Sequence, residues 1–231
     1  MMTKSTILFA DKAPKLIMLD LDGTLVDSVP DLTVAVDQML SAVGKPTAGD
    51  AKIRTWVGNG AHALVARALS DAMDYPKDLQ ESVEYQQAYQ LFLDYYEASN
   101  GVTACTYPGV KEALARWRQK GIKLAVVTNK PMQFTTPLIE GVGIAHFFDF
   151  VSGGDSLPKR KPEPDQLLDI MAKAGVSAED SLMVGDSSND IDAAHAAGVS
   201  ALAVPYGYNH GRPVEECNPD QVVESLDRFH H

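Results

Sequence analysis

Apolar residues along the chain fall into two rhythms. Five short runs are apolar nearly throughout: Leu16–Leu21, Ile122–Val127, Phe148–Val151, Ser181–Val184 and Val199–Val204. Runs of this length without polar alternation predict strands buried on both faces of a parallel sheet. Between them the apolar positions follow a helical period, at Val110–Gln119, Pro131–Glu140, Pro164–Ala174 and Ile191–Ala197, which predicts amphipathic helices. Strand and helix in alternation build parallel βαβ units. The expected class is therefore α/β with a doubly wound parallel sheet.

Residues 28–100 break that alternation. They carry helical periodicity at Leu32–Val43, Ala51–Trp56, His62–Ala72 and Leu79–Tyr96, and no strand-like run. The simplest organisation is a helical unit, 28–100, inserted after the first strand of a core made of 1–27 and 101–231. Ser28-Val29-Pro30-Asp31 marks its start, a capping-box-like pattern with proline in the first turn. The polar, glycine-containing stretch Ser99–Thr106, followed by Tyr107-Pro108-Gly109, marks its end.

Composition narrows the function classes. At 231 residues, 45% hydrophobic and 22% charged, the chain has the make-up of an ordinary globular protein. A formal net charge of −11 argues against a nucleic-acid or anionic-membrane partner, which needs clustered Lys and Arg. It leaves room for a small anionic substrate, because a metal and one or two cations can reverse a local field. Cys105 and Cys217 have no metal-like spacing, and reduced thiols are expected. Met1–Lys15 lacks the apolar centre of a signal peptide and no run reaches transmembrane length, so a cytoplasmic setting is expected.

Polar chemistry gathers at the predicted strand ends and in the loops beside them. Asp20-Leu21-Asp22-Gly23-Thr24 closes the first apolar run; carboxylates two residues apart point to one side of a sheet, and Gly23 lets the backbone turn over what they hold. Thr128-Asn129 follows Val127, Lys161 precedes Pro162, and Gly185-Asp186-Ser187-Ser188-Asn189-Asp190 follows Val184. Each has an ordinary structural use, as a turn, an N-cap or a solvated lysine. Together they wrap one crevice outside the carboxyl ends of the strands, where open α/β sheets bind ligands.

The chemistry closes on phosphoryl transfer. Asp20, Asp186 and a backbone carbonyl are the hard oxygen ligands that Mg²⁺ takes. Carboxylates facing a phosphate dianion repel it unless that metal and Lys161 intervene. Asp20 can attack phosphorus as a carboxylate nucleophile. Asp22 can protonate the leaving alkoxide and then take a proton from water.

These motifs resemble motifs one to four of the haloacid dehalogenase superfamily, and the helical insert resembles its type-one cap. The resemblance spans nearly the whole chain. It implies a core sheet of strand order 3-2-1-4-5, with Asp20 as nucleophile and Mg²⁺ ligand. Asp22 is then acid/base and a ligand through its carbonyl, Asp186 a metal ligand, and Asp190 its support. Thr128 and Lys161 grip the phosphate, with Gly23, Thr24 and Asn129 beside it. Trp56-Val57-Gly58-Asn59-Gly60-Ala61, Ser156-Leu157-Pro158 and Tyr206-Gly207-Tyr208-Asn209-His210-Gly211 further resemble the bacterial phosphoglycolate phosphatase branch. That branch implies a small phosphate ester as substrate. A carboxylate on it would be held by Gly58, Asn59, Gly60 or Arg54, although a glycine-rich turn and a solvated helix face explain the same residues.

Three other readings use the same residues. They are a phosphatase of a different small ester, a phosphosugar mutase related to β-phosphoglucomutase, and a phospho-receiver signalling domain. Thr24 argues against the mutase, which tends to carry a bulkier apolar residue there. Asp22 and the insert argue against the receiver.

Overall fold

A computed structural model describes residues 8–9 and 12–230 of the chain. The N-terminal segment read above for a leader lies largely outside these residues, as does His231. The central sheet is parallel. It comprises β1 (Leu16–Leu19), β4 (Lys123–Val127), β5 (Phe150–Ser152), β6 (Ser181–Gly185), β7 (Ser200–Ala203) and β8 (Gln221–Val222), in the order β5-β4-β1-β6-β7-β8. The five expected strands stand in the order 3-2-1-4-5, and the short β8 adds an edge that no apolar run announced.

Each strand feeds both faces, as period-2 geometry requires. Ile17, Leu19, Leu124, Val126, Leu182 and Val184 join one core cluster, while Leu16, Met18, Ala125, Val127 and Met183 join another. Helices α5 (Val110–Gln119) and α6 (Met132–Gly141) cover the first face, through Leu114, Trp117, Leu138 and Ile139. Helices α7 (Asp165–Ala174) and α8 (Ser188–Ala196) cover the second, through Leu167, Ile170, Ile191 and Ala194. Helix α8 starts three residues before the apolar pattern does. Its first turn is polar and closed by a capping box between Ser187 and Asp190.

Residues 28–100 form α1 (Val29–Ala42), α2 (Asp50–Trp56), α3 (Ala61–Ser70) and α4 (Val83–Ser99), which share a third apolar cluster around Trp56, Tyr85, Phe92 and Tyr96. The two linkers to this helical layer pair with each other: β2 (Val26–Asp27) runs antiparallel to β3 (Cys105–Thr106). Asp31 fastens the outgoing linker, accepting from the backbone N–H of Gly101, Thr103 and Ala104 and from the Thr103 hydroxyl. The expected capping box at Ser28–Asp31 therefore does not form. Ser28 makes no side-chain cap, and its hydroxyl donates to Asp22 Oδ1 instead, at 2.5 Å.

Candidate active site

The carboxyl ends of β1, β4 and β6 converge on three buried carboxylates. Asp20, Asp186 and Asp190 present oxygens within 4.8 Å of one another. Asp20 leaves β1 with its N–H still bonded to Val184 O, which keeps it in register with the sheet. Lys161 enters between the carboxylates. Its side chain is 1% exposed, and its ammonium lies 2.9 Å from Asp20 Oδ1 and donates to Asp190 Oδ1 and to Val127 O, both at 2.6 Å. Asp190 is spent on holding the site: its Oδ2 accepts from the Asp186 and Ser187 N–H groups and from the Ser187 hydroxyl.

Asp186 is fixed from two sides. Its Oδ1 accepts from Thr24 Oγ1 and its Oδ2 from the Tyr208 N–H, each at 2.8 Å. Gly23 and Gly207 press on the same carboxylate. A Cβ would fall 2.4 Å from its Oδ2 at Gly23 and 2.2 Å from its Cβ at Gly207, so neither position tolerates a side chain.

This cluster carries more negative charge than one lysine can balance. Burial pushes the Asp20 carboxyl up to about 7; Lys161 pulls it back and Asp190 pushes it further. Burial, Asp190 and Asp20 likewise raise Asp186 well above the usual carboxylate range. Asp20 Oδ1 is buried, with the Lys161 ion pair at 2.9 Å as its one partner. Buried carboxylate oxygens crowded this closely, with one lysine among them, are the donor set of a hard divalent cation. The residues fit Mg²⁺.

Asp22 stands apart from that cluster. Lys130 Nζ donates to its two oxygens at 3.0 and 3.2 Å and also bonds the Tyr96 hydroxyl of α4. Burial works against the charge on Lys130, but Asp22 and Tyr96 outweigh it and hold the ammonium charged. Asp20, Asp22, Thr128, Asn129 and Lys130 line one side of a cavity of about 40 Å³, roughly three waters' room by the usual allowance per water. The helical layer closes the other side with Leu32, Val57, Leu64 and Phe92. Asn129 bridges the two parts, its amide donating to Gly58 O at 3.0 Å and to Lys161 O at 2.9 Å.

Comparison with known proteins settles the ancestry of this arrangement. The family model described as haloacid dehalogenase-like hydrolase matches residues 14–198. The chain belongs to that family. It is 50% identical to the phosphoglycolate phosphatase of Pseudomonas syringae pv. tomato over 223 residues, covering 96% of this chain and 80% of that one. It is 48% identical to the phosphoglycolate phosphatase of Vibrio parahaemolyticus over 215 residues, covering 93% and 94%. Among solved structures it resembles a "predicted phosphoglycolate phosphatase" from Haemophilus somnus, with TM-score 0.86, 38% identity and coverage of 93% and 96%.

In this haloacid dehalogenase-like hydrolase the expected residues divide into two groups. Asp20, Asp22, Thr128, Asn129, Gly58 and Gly60 meet at the cavity. Lys161, Asp186 and Asp190 stand directly behind Asp20. Gly23 and Thr24, expected beside the substrate, instead back Asp186. Asn59 turns away to Asn189 and Arg67. Arg54 is committed to Asp27 and Asp50 and sits over the Tyr208 ring, outside the cavity lining, because two carboxylates on its own surface claim it.

Three residues escaped the sequence reading, and a fourth, Tyr208, was named there only as part of a motif without a role. Lys130 and Tyr96 meet Asp22 across the cavity. Gln166 is fully buried, donating to Thr128 O and Gly153 O while accepting from the Lys161 N–H, so it locks the Thr128 and Lys161 loops together. Tyr208 ties the Asp186 loop to the incoming linker, its hydroxyl donating to Asp27 and accepting from the Ser28 N–H. Of the three that escaped, Lys130 carried a signal, as a lysine directly after Thr128-Asn129.

Proposed function

We propose that this hydrolase is a Mg²⁺-dependent phosphatase that converts 2-phosphoglycolate to glycolate and phosphate through an aspartyl-phosphate on Asp20. The observation that carries the reading is Asp20: a buried carboxylate that lines the cavity, ion-paired to Lys161 at 2.9 Å and crowded by Asp186 and Asp190. Relatives named for phosphoglycolate at about half identity over nearly the whole chain support the substrate.

Asp20 attacks phosphorus, and the bond from phosphorus to the leaving oxygen breaks as the bond to Asp20 forms. Asp22, held by Ser28 and Lys130, gives its proton to the departing alkoxide and is left as a carboxylate. It then takes a proton from the water that attacks phosphorus, releasing phosphate and restoring Asp20. Thr128 and Lys161 hold the phosphoryl oxygens. Asp20, Asp186 and the main-chain carbonyl of Asp22 would hold Mg²⁺, with Asp190 behind, and the ion would offset the charge of the carboxylates and the phosphate.

The helices of 28–100 act as a cap over the core of 1–27 and 101–231, excluding water and limiting the leaving group. The apolar Leu32, Val57, Leu64 and Phe92 of the cap crowd the space over Asp20, which suits a small leaving group better than a hexose. No helix among the described residues is long and apolar enough to cross a membrane, and Cys105 and Cys217 are unpaired, which suits a cytoplasmic enzyme. The test is a steady-state comparison in Mg²⁺. kcat/KM for 2-phosphoglycolate should exceed that for p-nitrophenyl phosphate and for hexose phosphates; faster turnover of hexose phosphates or nucleotides would overturn the substrate.

A further inference from the structure

A two-carbon acid phosphate carries a second anion that the phosphate-binding residues cannot serve. Its carboxylate is two bonds from the bridging oxygen, and a buried carboxylate needs a cation or several N–H donors. The helical cap is the obvious place to look, yet its cations are elsewhere. Arg54 pairs with Asp27 and Asp50, Lys52 with Asp71 and Lys45 with Glu84; Arg67 serves Trp56 O and Asn59. Among the described residues lining the cavity, Lys130 is the one cationic side chain.

Its position is set by Asp22. To protonate the leaving oxygen, Asp22 must come within hydrogen-bond reach of it. Lys130 Nζ is 3.0 Å from Asp22 Oδ1 on the side of the cap residue Tyr96. A carboxylate two bonds from the oxygen that Asp22 serves therefore arrives beside this ammonium. The walls around it are the apolar Leu32, Leu64, Phe92 and Phe134, which leave the anion no other charged partner and strengthen the pairing it makes.

Building on the reading of the substrate as 2-phosphoglycolate, we infer that Lys130, with the Tyr96 hydroxyl beside it, is the receptor for the substrate's carboxylate and so the residue that sets specificity. Tyr96 comes from the cap and Lys130 from the core, so the carboxylate is gripped where the two parts meet. Selection for an acidic leaving group thus rests on a core lysine, and the cap contributes a hydroxyl and the apolar walls.

The experiment compares 2-phosphoglycolate with ethyl phosphate, which keeps an alkyl leaving group and lacks the carboxylate. Lys130→Met should lower kcat/KM for 2-phosphoglycolate on the order of 10²-fold more than for ethyl phosphate, mainly through KM, as expected when a buried charge partner is removed. Lys130→Gln, which keeps a polar group in the site, should show the same split and serves if the Met variant does not fold. Equal losses on both esters would overturn the inference, because Lys130 would then act only by positioning Asp22. Undiminished preference in either folded variant would overturn it too. A wild-type enzyme that turns over ethyl phosphate as well as 2-phosphoglycolate would overturn the substrate reading itself, and is told apart because it needs no variant.

Discussion

The floor and the roof of the cavity are built on opposite principles. On the floor the carboxylates are held by fixed partners: Asp20 by Lys161, Asp186 between Thr24 and Tyr208, Asp190 between Lys161 and its own helix start, Asp22 between Ser28 and Lys130. Those partners come from strand ends whose register the sheet dictates, so the geometry is rigid and prepaid before any ligand arrives. The roof is apolar. Leu32, Leu64 and Phe92 face the cavity from a helical layer with its own hydrophobic cluster, and Lys45, Lys52 and Arg54 of that layer are committed to ion pairs away from it. Reaction is thus a property of the floor, and the roof decides how much water and how large a leaving group accompany it.

That contrast can be broken most sharply at Asp20. Asp20→Asn should remove essentially all turnover with every ester, because nucleophile loss costs many powers of ten and nothing on the roof can substitute. Retention of more than about one per cent of activity in a folded variant would place the nucleophile elsewhere. Asp22→Asn should cost about 10²–10⁴-fold with 2-phosphoglycolate, the usual range for a general acid–base. With p-nitrophenyl phosphate, whose leaving group needs little protonation, the loss should shrink; equal losses would show Asp22 acting through geometry alone.

The charge crowding of the floor gives a third test, in stability. Burial raises the folded-state pKa of Asp20 to about 7, above its value in the unfolded chain. A raised pKa contributes stability that is full below the ordinary carboxylate range and is lost as pH rises through about 7; Asp186 shifts in the same direction. Chelated protein should therefore melt at a lower temperature at pH 8 than at pH 5. Added Mg²⁺ should raise Tm more at pH 8, where the carboxylates are ionised. A Mg²⁺ effect of equal size at both pH values would contradict the assigned cluster. The smallest effect is expected on the cap surface: Arg54→Ala should change kcat/KM for 2-phosphoglycolate by less than about threefold and cost about 1 kcal/mol or less, since its ion pairs are partly exposed. A large loss of phosphoglycolate selectivity there would return specificity to the cap.

The same floor-and-roof division governs what could be read from the sequence. The residues that the proposed mechanism uses on the floor lie in short contiguous segments at or beside the ends of apolar runs, so strand and turn logic places Asp20, Asp22, Thr128, Lys161, Asp186 and Asp190 on one edge of the sheet. Their partners were less legible. Lys130 meets Asp22 from 108 positions along the chain, and no local pattern encodes that distance. The β2–β3 ribbon and β8 are two residues long per strand, too short to show alternation. Ser28 and Asp31 have the spacing of a capping box, but tertiary partners, Asp22 and the outgoing linker, outbid the local bond for both side chains. Arg54 looked free because Asp27 lies on the far side of a linker whose path the sequence does not specify.

The central claim is that phosphate passes through Asp20. Enzyme carrying Asp22→Asn, in which hydrolysis of the intermediate is slowed, is mixed with Mg²⁺ and [³²P]p-nitrophenyl phosphate, whose leaving group needs little protonation, then quenched in acid and mapped by peptide. The account predicts acid-stable, hydroxylamine-labile label on the peptide containing Asp20, appearing no later than free phosphate. Label on another residue, or steady release of phosphate from a protein that never becomes labelled, would contradict it.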